Sequence, residues 1–330
     1  MHHFFQPLNH LRNIRVWARR HDASVSLDAV TFRVTVTRDG RVVTLVPRFI
    51  MEMDTGFAYT NHFGDDDTLF CGWLPYDVKR WPLASDKLAF KQYCEQAGLP
   101  VPAYSLQGMQ QPDTDFIVKG RQGSFGRGIR GPFRSGSAQA QAVVLSPGQF
   151  FEQFVQGECA KIWCWNGCPV AMERLKAPFV VGDGVRSLRE LLESSGRGSF
   201  DVPQPADKAD HDVLAWQGLD VDSVPALGQR VVLDFRYASP FDRTITRDRD
   251  VLSAQSVSMR ARLHQMAGSL AQGIPPATRE HTIFTVDAIV DEDDQLWLLE
   301  MNSHPMVHPA SYVPMLDSLF GVDLLSLPRD

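Results

Sequence analysis

The 330-residue chain lacks several things, and each absence excludes a class. No apolar run approaches the roughly 20 residues that a bilayer span requires, and the N-terminal MHHFFQPLNHLRNIRVWARR has neither an apolar signal core nor a small-residue cleavage site. Cysteine is scarce and odd in number. Cys71, Cys94, Cys159, Cys164 and Cys168 contain no C-x-x-C pair, which argues against a disulfide framework and makes a zinc site the lesser reading beside reduced thiols. Excess positive charge is missing too: 33 Lys and Arg stand against 39 Asp and Glu, a net charge of -6, so no global basic field draws the chain to nucleic acid or anionic lipid. Internal repeats and low-complexity tracts are absent. A soluble, cytoplasmic protein with neither nucleic-acid nor membrane partners is expected.

What remains is a globular composition, 44% hydrophobic and 22% charged, on a chain long enough for about two or three small units. Period-two stretches Val30–Val36 and Val42–Val46, separated by Arg38-Asp39-Gly40-Arg41, predict a β-hairpin. Trp81-Pro82 breaks the chain, and Ser85-Asp86 starts a helix over Lys87–Ala97 that stops at Gly98 and Pro100. A strand over Asp115–Lys119 leads into a glycine-rich loop, Gly120–Gly128, of the kind a mobile lid uses, and a strand pair follows around Cys159–Met172. Residues 195–225 read as an irregular insertion and Val251–Gln272 as an amphipathic helix, while strands Ile283–Val290 and Leu296–Met301 flank the acidic turn Asp291–Asp294.

Three clusters carry chemistry. Asp287, Glu300 and Asn302 sit near the ends of two adjacent predicted strands, and pairing of those strands brings two carboxylates and an amide oxygen together, a donor set suited to Mg²⁺. Ordinary strand-end polarity is the competing explanation, but a carboxylate in the apolar run Phe284–Val290 is costly without a partner. Lys119 and the loop Gly120 to Gly128 supply backbone N–H groups, flexibility and charge for phosphate; a plain hairpin turn is the alternative, and neither a Walker loop nor a dinucleotide fingerprint is present. In Gln149–Glu158, an apolar strand edge flanked by two glutamates offers backbone groups to adenine and Glu158 to ribose hydroxyls, and an amphipathic strand with exposed glutamates is the equal alternative.

Taken in order, five stretches resemble the ATP-grasp superfamily, specifically carboxylate-amine ligases such as D-alanine:D-alanine ligase, cyanophycin synthetase and the glutamate-adding ligases. They are Asp86-Lys87 with Gly98–Pro102, Val118-Lys119 with its loop, Glu152–Glu158, Val180–Gly184, and Leu298–Pro305. The resemblance covers about residues 85–323 and implies an α/β fold built of α+β subdomains. A small N-terminal α/β region would occupy 1–82, a lid subdomain 83–155 and a catalytic subdomain 156–330.

By that resemblance Lys87 and Lys119 hold ATP phosphates under Gly123, Ser124, Phe125 and Gly126, Glu152, Gln153, Phe154 and Val155 hold adenine with Glu158 on the ribose, and Asp287, Glu300 and Asn302 bind Mg²⁺, with Mn²⁺ an acceptable substitute. Val181–Gly184 and Gly228–Leu233 follow the cyanophycin synthetase branch, in which Arg174 or Lys176 lies near the phosphates. The tail follows the D-alanine ligase branch, with Ser311 on a substrate carboxylate or, alternatively, as a helix cap; His304 and His308, beside the metal trio, are read either as substrate contacts or as surface hydrogen-bonders. Two departures stand out. Met306 replaces a glycine, and Thr285 replaces the oxyanion-stabilising arginine, a role then open to Arg236 or Arg243.

The implied reaction activates a carboxylate as an acyl-phosphate, which an amine captures as an amide with release of ADP and phosphate. Amino acids or peptides are the expected substrates, and a homodimer is compatible with the sequence. A phosphotransferase using the same ATP site and a non-catalytic nucleotide-binding protein are the alternatives.

Overall fold

The computed structural model describes residues 5–53, 56–62, 68–106, 113–123, 128–194, 198, 203–237, 239–241 and 249–322. Helix α1 (Phe5–Arg20) opens the chain, with Arg19 and Arg20 at its partially negative C-terminal end. The sequence reading placed no helix here. Leu11, Ile14, Trp17 and Ala18 fall on one face and are buried against a sheet formed by β1 (Ser24–Leu27), β2 (Val34–Arg38), β3 (Arg41–Met53), β4 (Gly56–Thr60) and β5 (Thr68–Leu74). The expected hairpin is β2–β3, with Arg38 opposite Arg41. Its two-residue turn needs left-handed backbone at both positions, and Asp39 (φ 48°) and Gly40 (φ 75°) provide it. The first strand was expected from Val30 but starts at Val34, after Phe32 takes φ 55°.

Helix α2 (Lys87–Gln96) is capped by Asp86, whose carboxylate accepts from the N–H groups of Leu88 and Ala89. The next sheet has the order β6-β9-β7-β8, from β6 (Tyr104–Leu106), β7 (Phe116–Gly120), β8 (Arg130–Phe133) and β9 (Gln149–Gln153), with the short helix α3 (Ala138–Gln141) beside it. Phe116, Val118 and Phe151 bury one face of this sheet, so Ile117, Lys119 and Glu152 face the other way.

A third antiparallel sheet has the order β11-β10-β14-β15: β10 (Glu158–Trp165), β11 (Cys168–Leu175), β14 (Ile283–Val290) and β15 (Leu296–Asn302). Between its strands in sequence lie β12 (Phe179–Val181), α4 (Leu188–Glu193), α5 (His211–Trp216) and β13 (Arg230–Val232), which close around a core of their own, and α6 (Val257–Gln272). The helix expected from Val251 begins only at Val257, because Ser256 caps it; the stretch expected to be irregular contains α5. Helices α7 (Pro276–Arg279) and α8 (Tyr312–Phe320) complete an α+β molecule. Phe90 and Cys94 of α2 join α6 beneath the third sheet, and Trp163, Trp165 and α8 join the core of the N-terminal sheet, so the cores bridge the three expected units. All five cysteines are free thiols. Among the described residues no helix is long and apolar enough to cross a membrane.

Candidate active site

The third sheet carries a row of charge across all four strands. Cross-strand register sets Glu173 (β11) beside Lys161 (β10), Lys161 beside Asp287 (β14), and Asp287 beside Glu300 (β15). Lys161 Nζ lies 2.5 Å from Asp287 Oδ1, and the amide of Asn302 donates to Asp287 Oδ2 at 3.1 Å, which leaves its own Oδ1 available. A bulge after Asp287 lets Glu300 join the row while Leu298 stays in the core. The sequence-predicted trio therefore converges.

Residues from the second sheet and α2 face this row across a cleft of about 560 Å³. Lys87, first residue of α2, reaches Glu300 Oε2 (2.8 Å) and donates to the Gly123 carbonyl (2.7 Å). Lys119 lies 2.6 Å from Glu152, whose other oxygen is 2.6 Å from Lys91. Glu152 and Lys91 are almost without solvent contact. Burial alone would raise the Glu152 carboxyl, but the ammonium groups of Lys119 and Lys91 reverse this and hold it below the usual carboxylate range. Gln153, Phe154 and Val155 line the same cleft, and Phe154 meets Trp216 and Phe235 edge-on, each at 5.3 Å.

Three residues surround Glu173, and two of them, Tyr237 and Arg249, were absent from the sequence reading. Tyr237 donates its hydroxyl to Oε2 (2.8 Å), Arg249 approaches Oε2 at 3.2 Å, and His308 Nε2 lies 3.4 Å from Oε1. Despite burial, these donors keep the Glu173 carboxyl low; burial followed by the Glu173 charge pushes the Tyr237 phenol far up. All four residues line the cleft.

Several expected site residues sit elsewhere. Arg174 follows Glu173 by one position and so occupies the opposite face, two residues from core Met172, where it bonds Glu158 (2.8 Å) and Gln255 (3.2 Å). Glu158 is thereby turned from the cleft, and Lys176 is exposed 3.9 Å from it; neither belongs to the cleft wall. Ser311 is fully buried and neither lines the cleft nor caps α8 with its side chain. The reason lies in Gly72, whose φ of 113° and missing Cβ let Val307 pack within 3 Å of where a side chain would stand, seating the segment ahead of α8 inside the protein. Arg236 does reach the cleft, held by Asp234 (2.9 Å) and Asp210 (3.1 Å). His304 also lines it, with Nδ1 3.0 Å from the Ser303 hydroxyl; burial, then the charges of Arg48 and Arg80, bring its pKa down to about 4. Ser124, Phe125, Gly126 and Arg243 lie outside the described residues.

Asp287, Glu300 and Asn302 present hard oxygen donors on neighbouring strands, and two ammonium groups already sit against the carboxylates. That donor set fits a divalent cation that takes its remaining ligands from phosphate and water rather than from a complete protein cage. No cluster of three or more His, Cys, Asp or Glu able to hold a metal by itself occurs among the described residues.

No protein-family model and no curated protein matches the sequence. Solved structures to which the chain is similar include a bifunctional glutathione synthetase from Pasteurella multocida (16% identity, TM-score 0.45, covering 94% of this chain and 43% of that one). Others are D-alanine--D-alanine ligase from Bacillus anthracis complexed with ATP (12%, TM-score 0.40, 72% and 66%) and L-amino acid ligase from Bacillus licheniformis (11%, TM-score 0.37, 72% and 48%). The chain thus spans less than half the length of the glutathione synthetase. Likenesses this distant carry no activity across.

Proposed function

We propose that the chain is an ATP- and Mg²⁺-dependent carboxylate-amine ligase of the ATP-grasp type, acting in the cytoplasm on amino acids or peptides. The observation that supports this best is the cleft in which Lys87 and Lys119 face the row Lys161, Asp287 and Glu300 with Asn302. Lysines alone would suit any polyanion; lysines interleaved with an oxygen-donor set suit a polyphosphate that brings its own cation. Asp287, Glu300 and Asn302 would hold Mg²⁺ or Mn²⁺, which would neutralise phosphate charge. The segment Glu152–Val155 would border the base through its backbone, because the Glu152 carboxylate is committed to Lys91 and Lys119.

In this reading a carboxylate oxygen of the acid attacks the γ-phosphorus and ADP departs. An amine nitrogen then attacks the acyl carbon, phosphate leaves, and the nitrogen loses a proton. Lys161 within the row and Arg249 beside it would balance charge that develops on the transferring phosphoryl group and the acyl oxygen, Arg249 being steadied by Glu173. Arg249 joins Arg236, at the edge of the same wall, as an arginine proposed for this role, while Arg243 lies outside the described residues. Residues 83–155 would act as the lid and 156–330 as the catalytic unit, with 1–82 closing the substrate end.

The test is ADP release across amino acids and dipeptides, with mass detection of product. ADP, phosphate and a new amide support ligation; a phosphorylated acceptor would establish a phosphotransferase instead, and absence of any thermal shift with Mg²⁺ and ATP would rule out nucleotide chemistry.

A further inference from the structure

The cleft extends past the lysines into a lobe between the N-terminal sheet and residues 304–309, walled by Tyr59, Leu69, Phe70, Met306 and Val307. Into this mainly apolar wall α1 contributes His10, which is buried among the rings of Phe70, Trp73 and Tyr312. A relay fixes its protonation. The backbone N–H of Trp73 donates to the Tyr312 hydroxyl oxygen at 2.8 Å, and that hydroxyl lies 2.8 Å from His10 Nδ1. Tyr312 is fully buried, and His10 is its one remaining hydroxyl partner among the described residues, so its proton goes to Nδ1. The imidazole proton is then on Nε2. Burial, followed by the nearby His308, holds the ring neutral, with its pKa pushed down to about 3. Nε2–H has no acceptor among the described residues. A donor so oriented in an apolar wall calls for an oxygen on whatever fills the lobe, since a ligand without one forfeits the bond.

We propose that His10 is a substrate-binding residue whose Nε2–H donates to a carbonyl, ether or hydroxyl oxygen carried by an apolar portion of the acid or amine substrate. This rests on the ligase reading for what the substrate becomes, but not for its binding. Sequence offered no signal, because His10 reaches the cleft only through the packing of α1 on β5 and α8.

The experiment uses the full chain with histidine-selective ¹⁵N labelling and Mg²⁺ with a non-hydrolysable ATP analogue. Its probes are two pairs differing by one oxygen: phenylalanine with tyrosine, and norvaline with O-methylserine. We expect the free chain to show the Nε2–H tautomer. The oxygen-bearing member of a pair should shift the Nε2 resonance and bind at least about tenfold more tightly than its partner. That ratio should fall to near one in His10→Leu and persist in His10→Gln, which retains a donor. Tyr312→Phe, which releases Nδ1, should lower it with His10 in place. A proton found on Nδ1, an Nε2 resonance unmoved by all four probes, or a ratio unchanged in His10→Leu would overturn the proposal. ADP release is scored separately. Oxygen-selective binding with no ADP from any acid and amine would end the ligase reading and leave His10 as a binding residue, whereas ADP release without oxygen preference would do the reverse.

Discussion

Glu152 shows what a single side chain carries here. Its carboxylate is nearly inaccessible to water and lies between two ammonium groups at 2.6 Å, one of them on the wholly buried Lys91. Removing the carboxylate strands Lys91 without its partner. Glu152→Ala should therefore lose about 3–5 kcal/mol of unfolding free energy in urea titration, and adding Lys91→Met should recover much of it. His10 gives a pH signature. Its folded-state pKa near 3 lies below the ordinary histidine value, so below about pH 6.5 the unfolded chain takes up a proton that the folded chain refuses. Stability should be full above that value and decline towards pH 3 by about 1.4 kcal/mol per unit, a slope that His10→Gln should flatten in denaturation at stepped pH. Glu152 was legible in the sequence only as part of a strand edge beside adenine, and Lys91 and His10 were not legible at all. Lys91 reads as an ordinary lysine of a helix until β9 is folded against it. Glu173 was passed over for Arg174, one position away, and on a strand that single step selects the opposite face.

At the scale of elements, the cap of α2 sets the direction of a cleft lysine. Asp86 accepts two N–H groups and pairs with Arg121 at 2.5 Å, and the next residue, Lys87, reaches Glu300. Asp86→Ala should cost about 1 kcal/mol in thermal or urea unfolding. It should also raise KM for ATP several-fold with a smaller change in kcat. This helix, the hairpin turn at Asp39-Gly40 and the strands β14 and β15 were readable because caps, turns and apolar periodicity are local signals. The contribution of β10 and β11 was not, because Lys161 enters the row through its register with β14. Asp287, Glu300 and Asn302 were readable as polar breaks in apolar strands, and pairing of those strands brings them together.

For the whole molecule, the cleft joins walls from separate sheets, so a ligand filling it should stabilise the folded state. An ATP analogue with Mg²⁺ at about 100 times its Kd should add about 2.7 kcal/mol, read as a rise in Tm. Asp287→Asn combined with Glu300→Gln should abolish the Mg²⁺-dependent part of that rise and lower ATP turnover by at least about a hundredfold. Substrate identity is the least legible property at any scale, because the lobe is assembled from α1, the N-terminal sheet and residues 304–309, which are remote in sequence.

The lysines of the cleft rest against carboxylates: Lys87 on Glu300, Lys119 on Glu152 and Lys161 on Asp287. The site therefore behaves as an ion exchanger already loaded with its own counter-ions. On the proposed reading, a nucleotide arriving with its cation would swap partners within the cleft, its phosphates taking the lysines and its metal the carboxylates of Asp287 and Glu300. Because the exchange is between fixed charges rather than with dissolved salt, affinity for the metal-nucleotide pair should vary only shallowly with ionic strength, while nucleotide stripped of metal, facing lysines that are already taken, should bind poorly.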